Sequence, residues 1–382
     1  MKKERRPVWP ILLVLFGLSG VVLAEIGVRF NMPSWPWLGV ACMLFPLSWM
    51  VLFIGAIGGL WARRMRFVVG ALGALFLSYP HAAQTFGWPI IRTSWGIESP
   101  ALNYAPGTSS LFQESDEKVD SKELHVLSWN VRQFDRLEWL KNTNSRSEML
   151  TYIEEVAADV VCIQECFLEE NNDPWMTKKR LLQASGLSHW AEEFKFGRGH
   201  QKLFGLAVMS RHPIIQKSAI VFPDEPNNSG MLVDIELDGD TIRVFNVHLS
   251  SIHFEEEDYE AVRTGPDSAE RLRLLSRLER AWEKRAVQAK IVAQHVADSP
   301  YPVVLMGDFN DVPVSFAAQQ FQPYLMDAYS GGQGFLGATY IGDIPGMRID
   351  FVLHSPIMKC RSYETGDVVL SDHRPVSAHL IW

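Results

Sequence analysis

The sequence predicts an α/β domain carried behind an apolar N-terminal region of membrane-spanning helices. Three observations lead to it. The first 85 residues hold two long runs without a charge, Val8–Ala24 and Phe30–Ala62. From Leu124 to Trp382, short apolar runs of strand length alternate with helical patterns, the mixture expected of one layered α/β domain. Several of those strands begin apolar and end in Asp, Asn, Glu or His.

A helix rises about 1.5 Å per residue and a hydrocarbon core is about 30 Å thick, so both uncharged runs are long enough to span. The second is most apolar over Trp37–Trp61, and Trp35 and Trp37 suit the interfacial level where indoles collect. A third run, Phe67–Tyr79, is short and spans only if it continues through Pro80 to Thr85. Lys2, Lys3, Arg5 and Arg6 precede the first run, and Arg63, Arg64 and Arg66 separate the second from the third. Under the positive-inside rule both clusters face the cytoplasm. The expectation is a multi-pass anchor of two or three helices in residues 1–85, with a cytoplasmic N-terminus and an extracytoplasmic domain. If the third run does not span, the domain lies in the cytoplasm instead. A cleaved signal peptide is the alternative for the first run, disfavoured by the second long run beside it.

Residues 86–123 read as a linker, from the small and polar residues of Glu98–Ser121. With eight Lys/Arg and two Asp/Glu in residues 1–84, the rest of the chain keeps 28 basic and 42 acidic residues, a formal charge of −14. That surface repels polyanions and lacks the footprint of an avid nucleic-acid binder, unless a local basic groove forms around Lys195, Arg198 and Lys202. Cys42, Cys162, Cys166 and Cys360 form neither a disulfide framework nor a paired C-x-x-C zinc pattern, and Cys162 reads as a core residue.

In residues 124–382, eight segments read as strands: HVLSWNV, VVCIQE, LFGLAVMS, MLVDIEL, TIRVFNVHL, PVVLMGDFN, IDFVLHS and PVSAHLIW. Ser145–Ala157 and Ser268–Ala297 read as helices, the latter from Leu272, Leu275, Leu278 and Trp282 at three- and four-residue steps. Residues two apart share a strand face. Val126, Ser128 and Asn130 form one such set, and Val161, Ile163 and Glu165 a second. Ile242, Val244, Asn246 and His248 form a third, and Val304, Met306, Asp308 and Asn310 a fourth. If the strand ends meet at one edge, these polar tips rim a pocket, joined by Asp350 in RIDFVL and by Asp372 and His373 in LSDHRP. Carboxylates and amides suit a hard cation, Mg²⁺ or Mn²⁺ rather than zinc, while imidazoles serve protons or phosphate. Singly, each residue has a blander explanation. His248 can be an ordinary strand histidine, Asn130 a turn cap, Asp308 an Asx-turn and Asp350 a partner of Arg348. His212, His253 and the acidic run Glu255–Asp258 read as solvated.

Taken in order, SWNV (Ser128–Val131), QE (Gln164–Glu165), NVHL (Asn246–Leu249), GDFND (Gly307–Asp311), RID (Arg348–Asp350) and SDHRP (Ser371–Pro375) resemble the signature blocks of the endonuclease/exonuclease/phosphatase superfamily, the DNase I-like metallophosphoesterases. GLAVMSRHPI (Gly205–Ile214) resembles the linking strand of that family. The resemblance covers residues 124–382, and the anchored arrangement, with a longer insert after NVHL, looks like that of membrane-attached bacterial members. It implies a four-layer sandwich of two packed mixed β-sheets with outer helices. By resemblance, Glu165 is the principal ligand of Mg²⁺ or Mn²⁺, with Asn130 and Asp372 helping to hold the ion or its waters. Asp308 orients or deprotonates the attacking water, and Asn310 hydrogen-bonds the nucleophile or the phosphoryl oxygens. His248 and His373 contact the scissile phosphate, and Asp350 fixes the tautomer of His373. Some abasic-site nucleases carry an acidic residue where this chain has Arg132, which suggests a phosphate contact instead.

The expected activity is membrane-anchored, metal-dependent hydrolysis of a phosphate ester, most simply a phosphodiester. Its partners are the bilayer and the ester itself: a lipid headgroup, a small phosphodiester or nucleic acid. No protein partner is inferred. The alternatives are an extracytoplasmic nuclease on DNA or RNA and, from another class, a catalytically silent membrane scaffold.

Overall fold

The computed structural model describes residues 7–30, 35–88, 122–169, 177–196, 202–223, 228–252, 255–331, 336–342 and 345–382. Most of the expected linker, His253, Arg198 and the side chains of Lys195 and Lys202 lie outside the described residues. The chain opens with helices α1 (Trp9–Arg29), α2 (Pro36–Met43), α3 (Phe45–Trp61), α4 (Met65–Leu77) and α5 (Tyr79–Phe86). There follow β1 (Glu123–Asn130), the short turn α6 (Arg132–Asp135), α7 (Ser145–Val156), β2 (Val160–Glu169), α8 (Lys178–Ser185), β3 (His189–Phe196) and β4 (Lys202–Ser210). Next come β5 (Ile214–Ile220), β6 (Ser229–Leu237), β7 (Asp240–His248), α9 (Glu256–Thr264), α10 (Ser268–Ala297) and β8 (Val303–Asp308). The chain ends with α11 (Phe316–Gln319), β9 (Met326–Asp327), β10 (Asp350–His354), β11 (Lys359–Thr365) and β12 (Val376–Ile381).

The strands form two six-stranded sheets, ordered β11-β12-β1-β2-β4-β3 and β5-β6-β7-β8-β10-β9. Their inner faces share one core, to which Val126, Cys162, Val244, Val304, Val352 and Val376 belong. The alternate residues of the first sheet, Leu127, Trp129 and Ile163, pack outward on Met149 and Ile153 of α7. Those of the second, Phe245, Leu305 and Phe351, pack on Ala289 and Val292 of α10. The result is the four-layer sandwich, with period-2 alternation feeding a core on each side of each sheet.

Each sheet has a parallel pair at its centre, β1 with β2 and β7 with β8. Their C-terminal ends therefore point the same way, and the antiparallel neighbours β10 and β12 begin where those strands end. Gly307 makes the β7–β8 approach possible. A Cβ there would meet the Val247 carbonyl oxygen at 2.0 Å, and its φ of 143° is one that L side chains rarely adopt.

Helix α10 is stopped at its start by Asp267, which accepts hydrogen bonds from Ala269 N and Glu270 N in a capping box. Its buried stripe runs through Leu274, Ala281, Arg285, Ala289, Val292 and Val296. This corrects the face expected from the sequence: Leu272 is 68% exposed, and Trp282 turns instead toward α2. The acidic run is likewise not uniformly solvated. Asp258 is fully buried and pairs with Arg273 and Arg277 at 2.9 and 3.0 Å.

The N-terminal helices pack through small residues. A Cβ on Gly17 would strike the Leu52 backbone, one on Gly20 the Ser48 side chain, one on Gly55 the Val14 backbone and one on Gly58 the Trp9 ring. The partner numbers fall as the glycine numbers rise, so α1 and α3 run antiparallel at close range. Helix α1 is long and apolar enough to cross a membrane. Helices α2 and α3 bend by 65° at Leu44 and together pass the same test as one broken span. Large apolar side chains stay on the outside, among them Leu12, Phe16, Phe53, Ile57, Val69 and Phe76.

These helices also touch the sandwich. Val314 joins the core of the helical cluster, and Gly39 lies under the Trp282 ring. Gln84 of α5 accepts at its side-chain oxygen from Gln319 Nε2 (2.7 Å) and at its carbonyl from Arg348 Nη2 (3.1 Å).

Candidate active site

The edge where the central strands end carries the polar tips that alternation places there, with one exception. Val161 and Ile163 face outward onto α7, so simple alternation sends Glu165 away from the other tips. The register of β2 against β4 shifts between Ile163 and Cys166, and Glu165 has φ 50°. This β-bulge re-aims the Glu165 carboxylate into the same pocket as Asp308. The reading that Val161, Ile163 and Glu165 share a face is corrected accordingly.

Asp308 is at the centre and 1% exposed. Its Oδ2 accepts from Asn130 Nδ2 (3.0 Å) and Asn310 Nδ2 (3.2 Å), and its Oδ1 accepts from Asn310 N (2.8 Å). Asn130 Nδ2 also reaches Glu165 Oε1 at 3.3 Å. His248 Nε2 stands 3.6 Å from Asp308 Oδ2 and 4.0 Å from Glu165 Oε1, too long for direct hydrogen bonds. His373 Nδ1 bonds Asp350 Oδ2 at 2.9 Å, while its Nε2 points to Asp308 Oδ2 at 3.7 Å. Asp372 lines the pocket and meets Arg132 Nη1 at 3.3 Å, and the Arg132 guanidinium lies over the Trp139 ring. All nine expected residues thus gather at one edge. Asp350 is the partner of His373, not of Arg348, which pairs with Asp327 at 2.6 Å.

Burial opposes a charge on His373, but the carboxylates of Asp350 and Asp308 outweigh it and hold the imidazolium well above the ordinary histidine range. Burial raises the Asp308 carboxyl; His373, His248 and the Asn130 hydrogen bond work against that rise, and Asp350 adds to it.

Among the described residues, Asp308, Asp350 and His373 are the one trio whose ligand-type atoms all lie within 4.8 Å of one another. Asp350 is committed to His373, so this trio is better suited to moving a proton. The oxygens of Asn130, Glu165 and Asp372 are the donor types a hard divalent cation takes, and Glu165, with its side chain 24% exposed, is open to the pocket.

Several supporting residues were not assigned roles from the sequence. Gln164 donates to Ser128 Oγ (3.1 Å) and, across the sandwich, to Asn246 Oδ1 (2.7 Å), while Asn246 donates to the carbonyls of Ile163 and Ala207. This clasp joins the two sheets directly under the site, and both residues lie inside quoted motifs. Thr339 Oγ1 accepts from Ile349 N and Asp350 N. Tyr340 sets its ring edge against His373. The second aspartate of GDFND, Asp311, is buried against Arg285 of α10 at 3.0 Å, and Arg285 also donates to Ser250 O. No local sequence signal marks Thr339, Tyr340 or Arg285.

Solved structures similar to this one include two named endonuclease/exonuclease/phosphatases. The endonuclease/exonuclease/phosphatase from Beutenbergia cavernae DSM 12333 matches with TM-score 0.51 and 22% identity, over 68% of this chain and 71% of that one. The endonuclease/exonuclease/phosphatase from Bacteroides vulgatus matches with TM-score 0.51 and 16% identity, over 68% and 98%. No curated protein sequence matches the chain. A family model described as the Endonuclease/Exonuclease/phosphatase family matches residues 127–373, from within β1 to His373 itself. The order of the motifs, the paired sheets and this match agree, and the chain belongs to the endonuclease/exonuclease/phosphatase family, whose members hydrolyse phosphoester bonds.

Proposed function

We propose that the chain is a membrane-anchored phosphodiesterase that depends on Mg²⁺ or Mn²⁺. The observation that carries this reading is the convergence of the Asp308 carboxylate with His248, His373, Asn130, Asn310 and Glu165 around one pocket. Glu165, Asn130 and Asp372 would hold the cation. When bound, it supplies positive charge for the phosphoryl oxygens. Asp308 accepts a proton from the attacking water, whose oxygen forms the new bond to phosphorus. The P–O ester bond breaks on the opposite side, and His373, held cationic by Asp350, gives its proton to the departing oxygen. His248 and Arg132 bind the phosphate, and Asn310 fixes the nucleophile while its amide is braced on Leu249 O at 2.9 Å.

The test uses the full chain in lipid nanodiscs with bis(p-nitrophenyl) phosphate. Chelation is expected to abolish p-nitrophenol release and Mg²⁺ or Mn²⁺ to restore it. Glu165→Gln is expected to raise the half-saturating metal concentration at least tenfold. Turnover that persists in excess chelator would sink the metal-dependent reading. No metal binding and no turnover on any ester would favour a silent scaffold.

For the anchor, the support is the apolar exterior of α1, α3 and α4 and the antiparallel run of α1 and α3. Arg63 and Arg64 follow the end of α3 that packs on the start of α1, where Gly58 meets Trp9, while at the other end of α1 Gly27 meets α2, whose Gly39 touches Trp282 of the sandwich. That arrangement favours a cytoplasmic helix end and an extracytoplasmic catalytic domain. A Ser110→Cys variant should react with an impermeant maleimide in intact cells. Labelling only after lysis would place the domain in the cytoplasm.

A further inference from the structure

The pocket is not built by the sandwich alone. Its floor is the carboxylate and imidazole group, but one side is apolar and is completed by Met43, the last residue of α2, beside Trp282 of α10. Met43 sits immediately before the 65° bend between α2 and α3. Gly39 holds α2 against α10 so closely that a Cβ would meet the Trp282 ring at 2.6 Å. The same short helix is preceded by Trp35 and carries Trp37 in its first turn, residues 61% and 63% exposed, and beyond the bend lies the apolar exterior of α3. Exposed indoles next to an apolar helix face are the signature of the bilayer interface. With α1 and α3 placed in a bilayer, α2 and the pocket wall it supplies through Met43 fall at headgroup level.

Size and charge narrow what fits. The cavity is about 220 Å³. It takes a phosphate with its attached carbons at the polar floor, and its apolar side, with Met43 and Trp282, faces whatever chain extends from them. A polynucleotide meets a chain whose charge beyond residue 84 is −14.

We propose that the substrate is a membrane lipid phosphoester, taken from the bilayer plane, and that the anchor itself forms a wall of the active site through Met43. This inference rests on the phosphoesterase reading and names its substrate class. The scissile phosphate lies on the Asp308–His373 floor, and the first apolar segment of the lipid runs past Met43 and Trp282 toward the outer faces of α2 and α3.

The experiment uses the full chain in vesicles of phosphatidylethanolamine and phosphatidylglycerol with Mg²⁺. Release of lipid headgroup or phosphate is measured beside hydrolysis of bis(p-nitrophenyl) phosphate by the same vesicles. Lipid turnover is expected in the wild type, and Met43→Glu is expected to lower the ratio of lipid to soluble-ester turnover at least tenfold. A diazirine-bearing phosphatidylethanolamine should crosslink to peptides of α2 or α10 in the wild type and lose that crosslink in Met43→Glu, a readout independent of turnover. Hydrolysis of the soluble diester without lipid turnover would overturn the inference and leave the phosphoesterase reading standing. So would an unchanged ratio in Met43→Glu, or cleavage of added plasmid DNA in preference to lipid. Silence on every ester would overturn the phosphoesterase reading, and the lipid inference with it.

Discussion

Asp308→Asn is expected to lower kcat by about 10³-fold, within the range for loss of a positioned general base. The substitution nearly preserves volume, so the pocket keeps its shape. What changes is the proton economy of the site. Asp308 accepts from both Asn130 and Asn310, and an amide in its place sets one N–H₂ group against another donor. The accompanying loss of stability, about 1–3 kcal/mol for one frustrated buried group, shows in the thermal midpoint and leaves most molecules folded. Turnover on bis(p-nitrophenyl) phosphate, normalised to the folded fraction, separates the two effects. A variant that kept more than a tenth of wild-type kcat would remove Asp308 from the chemistry.

The second large effect concerns Asp350, a positioning residue that acts through His373. Asp350 receives the Nδ1 side of the ring at 2.9 Å, which leaves Nε2 directed at Asp308 and the pocket. Asp350→Asn is expected to reduce kcat by about 10²–10³-fold, because the imidazole loses the charge that holds its proton and its orientation. KM should move little, since the carboxylate meets no substrate atom. In His373→Ala, adding Asp350→Asn should cost almost nothing more, because residues that act as one unit lose their effect together. Fully additive losses in the double variant would show that Asp350 works independently of His373.

How much of this was legible in the sequence follows from burial. The eight segments that read as strands are the eight inner strands. The four that did not, β3, β5, β9 and β11, are the four sheet edges. An edge strand can leave a face open to water and needs no regular apolar alternation. β5 and β11 are exposed at most of their positions, and β9 is only two residues long. The site residues were legible because a buried strand that ends in Asp, Asn or His breaks its own pattern. Glu165 was found by resemblance while its face was misread, because a bulge adds a residue that a two-residue period does not count. Asp258 was misread because its arginine partners lie on the next helix, where a local charge run gives no sign of them. The share of Met43 in the pocket was invisible for the same reason: the contact joins elements more than two hundred residues apart.

Arg348 has a further consequence. Its guanidinium joins Asp327 on one side and the Gln84 carbonyl of α5 on the other, two residues before Asp350. Val314, four residues past Asn310, packs among the N-terminal helices. A fragment that starts at residue 122 keeps both sheets but strips these contacts and bares an apolar scar beside the catalytic rim. Detergent that pries α5 from the sandwich does the same to the intact chain. Detergent extraction is then expected to cost activity by loosening one seam, before the melting of either sheet seen by circular dichroism.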